Sequence, residues 1–255
     1  MCMRVSMYLC RMEIKWIQTR LSVNLNKVAL IRNARGGNLP DLAQVARDCE
    51  AFGAEGITVH PRPDQRHVRM DDIPILRDVV TTEFNIEGNP TDSFLDLVCQ
   101  YPPHQCTLVP DLPSALTSDG GWDTLQHRSF LTEVTSRLHE RGIRVSLFID
   151  PDPRQVSGAK SIGADRVELY TGQYARMYSL DPGRAIADHM ACAEEAARVG
   201  LGLNAGHDLN LDNLAWYAKS LPNLAEVSIG HALISDALYY GLANTIRMYR
   251  RLLNR

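Results

Sequence analysis

LAQVARDCEAFGAEGITVH, residues 42–60, holds the pattern that decides the fold. Leu42, Val45, Ala46, Cys49 and Phe52 recur at the spacing of one helix face, and Gly53 stops the stripe. Gly56-Ile-Thr-Val-His60 then reads as a short β-branched strand that ends on a histidine. The same unit recurs along the chain. Leu21–Leu25, Glu83–Glu87, Cys106–Val109, Arg144–Ile149, Arg166–Tyr170, Leu201–Asn204 and Ala225–Ile229 are further strand candidates. Between them, Leu131, Val134 and Leu138 form an apolar stripe before Gly142, and Ile186, Met190, Ala193 and Ala197 form one before Gly200. Asp152-Pro153 and Asp181-Pro182 each place a side-chain acceptor before a first-turn proline, the mark of a helix start. Strands alternating with helices imply parallel pairing through crossovers. The expected class is α/β, a single-domain (β/α)8 TIM barrel, with a doubly wound open sheet as the competing arrangement.

Working outward, residues 21–255 form one catalytic domain with no internal boundary. Residues 1–20 are expected to be a poorly ordered N-terminal extension, or in part a gene-model artefact, since Met3, Met7 and Met12 offer later starts. The chain has 255 residues, of which 45% are hydrophobic and 22% charged, so it carries ample material for a core. Its net charge of −3 leaves no basic surplus for nucleic acid, and no apolar run is long enough to span a membrane. Six scattered cysteines without a C-x-x-C pair read as reduced thiols in a cytoplasmic protein. The longest irregular stretch, Pro110 to Trp122, is long enough to be a functional loop.

Barrel chemistry gathers at the C-terminal ends of the strands. Those ends carry Asn24 and Asn26, His60, Glu87, Thr107 to Pro110, Asp150, Glu168 and Thr171, Asn204 to His207, and Gly230-His231. His60, His67, His207 and His231 all fall there. A lone strand-end histidine is usually only hydrogen-bonded; several around one mouth point to proton transfer. Arg32, Arg35, Arg62 and Arg66 follow the first two strands, and Asn204-Ala-Gly-His207 with Ser228-Ile-Gly-His231 close the last two. Guanidinium forks on one side, and glycine-flanked helix starts on the other, suit two phosphate groups. Zinc is the rival use of the histidines, but no H-E-x-x-H spacing is present and arginines beside His60 oppose a cation.

Residues 24–36 (NLNKVALIRNARG), 53–62 (GAEGITVHPR), 64–67 (DQRH), 84–87 (FNIE), 108–110 (LVP), 145–150 (VSLFID), 204–207 (NAGH) and 229–231 (IGH) resemble, in order, the PdxJ family of pyridoxine 5′-phosphate synthases. The resemblance runs from about Leu21 to Leu253. It implies a metal-free and cofactor-free barrel, assembled as a homo-octamer, a tetramer of dimers. The reaction it implies joins 1-deoxy-D-xylulose 5-phosphate and 3-amino-2-oxopropyl phosphate into pyridoxine 5′-phosphate, with loss of inorganic phosphate and water. By the same likeness His60 and Glu87 are proton acceptors, His207 is the proton donor, and Glu168 stabilises a transition state. Asn24, Asn26, Lys27, Arg35, Arg62, His67 and Thr117 match substrate-contacting positions; Asp208, Gly230 and His231 line the other phosphate region. The chain departs from the family where Asn26-Lys27 replaces Asp-His, where Tyr170 replaces a histidine, and where Asp208 replaces glycine. Lys27 is expected to bind a phosphate or hydroxyl by charge. Asp208 is expected to point outward or to meet the substrate amine.

Overall fold

The computed structural model describes residues 18–111 and 118–254. Its strands are β1 (Arg20–Asn24), β2 (Gly56–Val59), β3 (Glu83–Gly88), β4 (Gln105–Leu108), β5 (Arg144–Ile149), β6 (Arg166–Tyr170), β7 (Gly202–Gly206) and β8 (Leu224–Ile229). They pair in parallel in chain order, and β1 also pairs with β8, so the sheet closes into a barrel and the open-sheet alternative falls away. Among the described residues the helices are α1 (Asn26–Asn33), α2 (Leu42–Ala51), α3 (Asp72–Val79), α4 (Asp92–Gln100), α5 (Arg128–His139), α6 (Pro153–Ile162), α7 (Gly172–Tyr178), α8 (Pro182–Val199), α9 (Leu214–Ser220), α10 (His231–Tyr240) and α11 (Leu242–Leu253). None is long and apolar enough to cross a membrane. Residues 1–17 of the expected extension lie outside the described residues, whereas Arg20 opens β1 and Thr19 donates from its hydroxyl to Leu224 O at 2.9 Å.

Local chemistry places the helix ends as the sequence implies. Asp152 and Asp181 accept from the Arg154 and Arg184 amides, each with proline in the first turn, and Gly163 and Gly200 close α6 and α8 in the left-handed conformation. The stripe expected on α8 is displaced by one position. Ile186 and Ala193 are buried, but Met190 and Ala197 are exposed, and the inward face continues through His189, Cys192 and Ala196. The reason is aromatic packing: His189 lies edge-on to Tyr174 and Tyr217, and its Nδ1 is 2.9 Å from the Tyr217 hydroxyl.

Strand alternation divides the side chains sharply. Val23, Ile57, Val59, Ile86, Leu147, Val167, Leu203 and Val227 are buried apolar residues of the core. The alternate positions are polar and equally buried: Ser22, Thr58, Asn85, Gln105, Thr107, Ser146, Glu168, Asn204, Glu226 and Ser228. Hydrogen bonds join them across strands, from the Ser22–Thr58 hydroxyl pair through Asn85 and Thr107 to Gln105 and Arg144. At the opening end of the strands Arg20 pairs with Glu83 at 2.9 Å, and Arg144 bonds the same carboxylate. The barrel interior is therefore polar along its length.

Arg32, expected among the anion-binding arginines, is instead structural. It is 1% exposed, and its guanidinium forks onto Asp72 of α3 at 2.6 and 2.9 Å while donating to His67 O at 3.2 Å. Asn33 beside it donates to the Arg66 and His67 carbonyls. Together they tie α1 to the loop after β2. Removing one partner leaves an uncompensated buried charge, so Arg32→Ala lowers the unfolding free energy by about 3–5 kcal/mol in urea denaturation. A change below about 1 kcal/mol, the size typical of an exposed pair, would contradict this reading.

Candidate active site

Asn24, His60, Glu87, His207 and Gly230 stand at or just beyond the C-terminal ends of β1, β2, β3, β7 and β8, whereas Glu168 is the middle residue of β6. Asn24 ends β1, and its Oδ1 accepts the Asn26 amide at 3.0 Å. That bond turns the amide nitrogen toward Glu87 of β3, where Nδ2 donates to Oε2 at 3.3 Å. Asn26 reaches the other way: its Oδ1 accepts the His60 backbone N–H at 2.9 Å, locking the end of β2 to the start of α1. A neutral amide suffices for this role.

Electrostatics separates the imidazoles. His60 is 6% exposed, and burial, followed by the charges of Arg62, His67 and Arg66, holds its pKa well below the usual histidine range. His67 sits with its ring centroid 6.2 Å from that of His60. Burial, with Arg62, Lys27 and Arg66, lowers its pKa to about 4. Its Nδ1 accepts the Val68 amide at 3.0 Å, which places the neutral ring's proton on Nε2. Both rings are therefore neutral at pH 7. For His207 burial also opposes charge, but the Asp208 hydrogen bond and the charges of Asp208, Glu87 and Asp111 outweigh it and raise the pKa.

The carboxylates behave in the opposite sense. Burial raises Glu87 to about 7, aided by Asp111 and Glu226 and opposed by His207 and Arg62. Glu168 is 4% exposed, and burial followed by the charges of Glu87 and Glu226 pushes it well above the carboxylate range. Burial thus favours its protonated form, in which it is a hydrogen-bond donor. Gly206 makes room for it, since a Cβ there would lie 2.8 Å from Glu168 Oε1 and 2.6 Å from Ser228 O.

Arg62 is the common neighbour. It is 4% exposed, pairs with Asp111 at 2.5 Å, and acts electrostatically on His60, His67 and Glu87. Asp111 also accepts from the Ser118 hydroxyl at 2.6 Å. Thus His60, Glu87, Arg62, His67, Asn24 and His207 share one end of the barrel, with Glu168 beneath them. Lys27, at the start of α1, is half-buried and close enough to act on His67. Gly230 caps α10 and approaches Asn24, where a Cβ would lie 3.1 Å from its Cβ. His231 and Arg35 are exposed, the first on the opening turn of α10 and the second in the turn after α1. Thr117 lies outside the described residues. Asp208 does not point away: its carboxylate is 2.7 Å from His207 Nδ1. Thr171, named from its strand end, joins the site through the loop after β7; Asp111 and Asn213 are neighbours that motif spacing does not reveal, since a period-two reading of the strands signals the buried polar interior but not such loop partners. Among the described residues no cluster of three or more His, Cys, Asp or Glu is arranged to hold a metal ion.

This arrangement brings two imidazoles held neutral, a third whose neighbours favour its charged form, a carboxyl raised to about 7 and a buried arginine to one mouth. The family model described as pyridoxal phosphate biosynthesis protein PdxJ matches residues 21–255. The chain belongs to the PdxJ family. Within it, a pyridoxine 5′-phosphate synthase of Cytophaga hutchinsonii is 60% identical over 233 residues, 91% of this chain and 98% of that protein. The protein of the same name from Bacteroides fragilis is 57% identical over 235 residues, 92% of this chain and 99% of that one. Among solved structures, a 3-keto-L-gulonate-6-phosphate decarboxylase from Vibrio cholerae superposes with a TM-score of 0.64 over 94% of this chain and 99% of that one. At 11% identity that likeness is one of fold alone.

Gly206→Ala tests the packing beneath the mouth. The added methyl meets a backbone carbonyl and the Glu168 carboxyl, and displacing them costs on the order of 100-fold in turnover. Gly183→Ala, where the nearest atom is 3.5 Å away, keeps wild-type activity as the control. Equal activity in both variants would remove Glu168 from the site.

Proposed function

We propose that this protein is a pyridoxine 5′-phosphate synthase, joining 1-deoxy-D-xylulose 5-phosphate and 3-amino-2-oxopropyl phosphate with release of inorganic phosphate and water. The observation that carries the reading is a carboxyl tuned to about 7, Glu87, placed in the field of a charge-favouring His207 and of Arg62, which also acts on the neutral His60. Its relatives' shared name supports the substrate pair.

Condensing an amine with a ketone and expelling phosphate and water demands successive proton transfers on neighbouring atoms. Neutral His60 accepts a proton, as does ionised Glu87, and His207 returns one to a leaving oxygen. Protonated Glu168 donates a hydrogen bond to charge that develops on the substrate. The amine comes from substrate, so no lysine need form a Schiff base. Arg62 and His67 on one side, and the Gly230 turn at the start of α10 on the other, hold the two phosphates and orient the reacting ends.

The same likeness carries assembly as a homo-octamer, a tetramer of dimers, supported by Leu238, Tyr239 and Tyr240 at the end of α10, which are 74%, 86% and 51% exposed. A cytoplasmic location accords with free thiols at Cys49, Cys99, Cys106 and Cys192.

Purified protein given both substrates forms pyridoxine 5′-phosphate and free phosphate. Turnover of either substrate alone would favour an aldolase or isomerase, and binding without turnover a carrier. Because Glu87 must be ionised to accept a proton, kcat/KM falls as the pH drops through about 7. Glu87→Gln lowers kcat by about 100- to 10,000-fold at every pH. An acid limb near pH 4, the range of an ordinary carboxylate, would contradict the assignment.

A further inference from the structure

The segment Gly206-His207-Asp208 is held more firmly than a strand-end loop requires. His207 has a φ of 68°, a left-handed conformation that a non-glycine residue adopts only when its surroundings enforce it. Three contacts enforce it. Thr171, fully buried at the end of β6, donates its hydroxyl to Gly206 O and accepts the Asp208 amide at 3.1 Å. Asn213, 2% exposed, donates from Nδ2 to Asp208 O at 3.2 Å, while its Oδ1 accepts the Asn210 amide at 2.9 Å. The Asn213 carbonyl in turn accepts the Tyr174 hydroxyl at 2.7 Å, which roots the loop in the aromatic cluster of α7, α8 and α9. With its backbone fixed on both sides, Asp208 turns its carboxylate onto His207 Nδ1 at 2.7 Å.

We propose that Asp208 is a positioning residue for the proton donor: it binds His207 Nδ1–H, fixes the ring's orientation and commits proton exchange with substrate to Nε2. This rests on the assignment of His207 as donor in the proposed synthase reaction. An ionised carboxylate can only accept, so the contact requires a proton on Nδ1, and a ring that also carries one on Nε2 is the acid the reaction needs. Other groups that act on the ring include Glu87 from β3 and Asp111 from the segment after β4, both anionic when ionised, and Tyr170 from β6, whose ring lies edge-on at 6.0 Å. Asp208 is in direct hydrogen-bond contact with the ring, and its hydrogen bond and charge favour imidazolium more than the charges of Glu87 and Asp111 do. Pairing also solves a problem posed by the sequence. A lone carboxylate beside a phosphate region repels the ligand, whereas the Asp208–His207 ion pair is neutral as a unit.

The test is a pair of measurements on the full-length enzyme, comparing wild type with Asp208→Asn and Asp208→Gly. In the first, the His207 imidazole is titrated by NMR without substrate, its signals assigned by their loss in His207→Gln. Its pKa falls by about one unit or more in both variants. In the second, the alkaline limb of kcat moves to lower pH by a similar amount and kcat at pH 8 falls about tenfold, while KM for both substrates changes less than about twofold. Asp208→Glu restores part of the shift. The NMR measurement needs no reaction, so it stands or falls apart from the substrate assignment. An unchanged His207 titration, or a loss carried entirely by KM, would overturn the proposal and make Asp208 a substrate contact.

Discussion

Closing eight parallel strands into one barrel forces Glu87, Glu168 and Glu226 into a single narrow interior with little water, and that crowding governs the site. Each carboxyl is desolvated; Glu226 raises Glu87, and both raise Glu168. Glu226 near the floor rises to about 7, by burial and the charge of Glu83, against three arginines, Arg166, Arg20 and Arg144. Higher up, Glu168 meets no such cations and goes further in the same direction. Arginines oppose the upward shift at the floor, and none is among the influences on Glu168. Polar strand residues would be a defect in an ordinary core; here Ser22, Thr58, Asn85, Thr107, Gln105 and Arg144 bond one another across β1 to β5.

The imidazoles obey the same rule with the sign reversed. His60 and His67 lie beside Arg62 and stay neutral; His207 lies across the mouth among carboxylates and favours its proton. Two kinds of role thus arise from one residue type, set by which side of the barrel supplies the neighbours. Arg62 and Asp111, paired in this structure, mark the border between the two fields.

Much of the fold was legible because the chain repeats one unit. Strand, loop, amphipathic helix and closing glycine recur often enough that parallel closure follows, and caps such as Asp152-Pro153 announce helix starts locally. The α8 stripe was misread by one position because spacing alone favoured Met190 and Ala197, whereas a ring stack with Tyr174 and Tyr217 draws His189 inward. Arg32 looked like a phosphate ligand by its company; only its burial against Asp72 shows it to be a strut. Strand-end histidines and glutamates could be listed from the sequence, and the family likeness gave them roles. Their charge states could not be read there, because those depend on neighbours from other strands. Asp208 illustrates the limit: the sequence shows a carboxylate where glycine is usual, and the fold shows which ring it holds.

The central claim is that these groups work on one ligand at one mouth. A crystal structure of the protein with pyridoxine 5′-phosphate bound tests it most directly. The product ring should lie between the His60 and His207 imidazoles with Glu87 against its edge, hydrogen-bonded within about 3.2 Å, and its phosphate at one end of the mouth. A product seated at the opposite end of the barrel, or touching only one of those three residues, would contradict it.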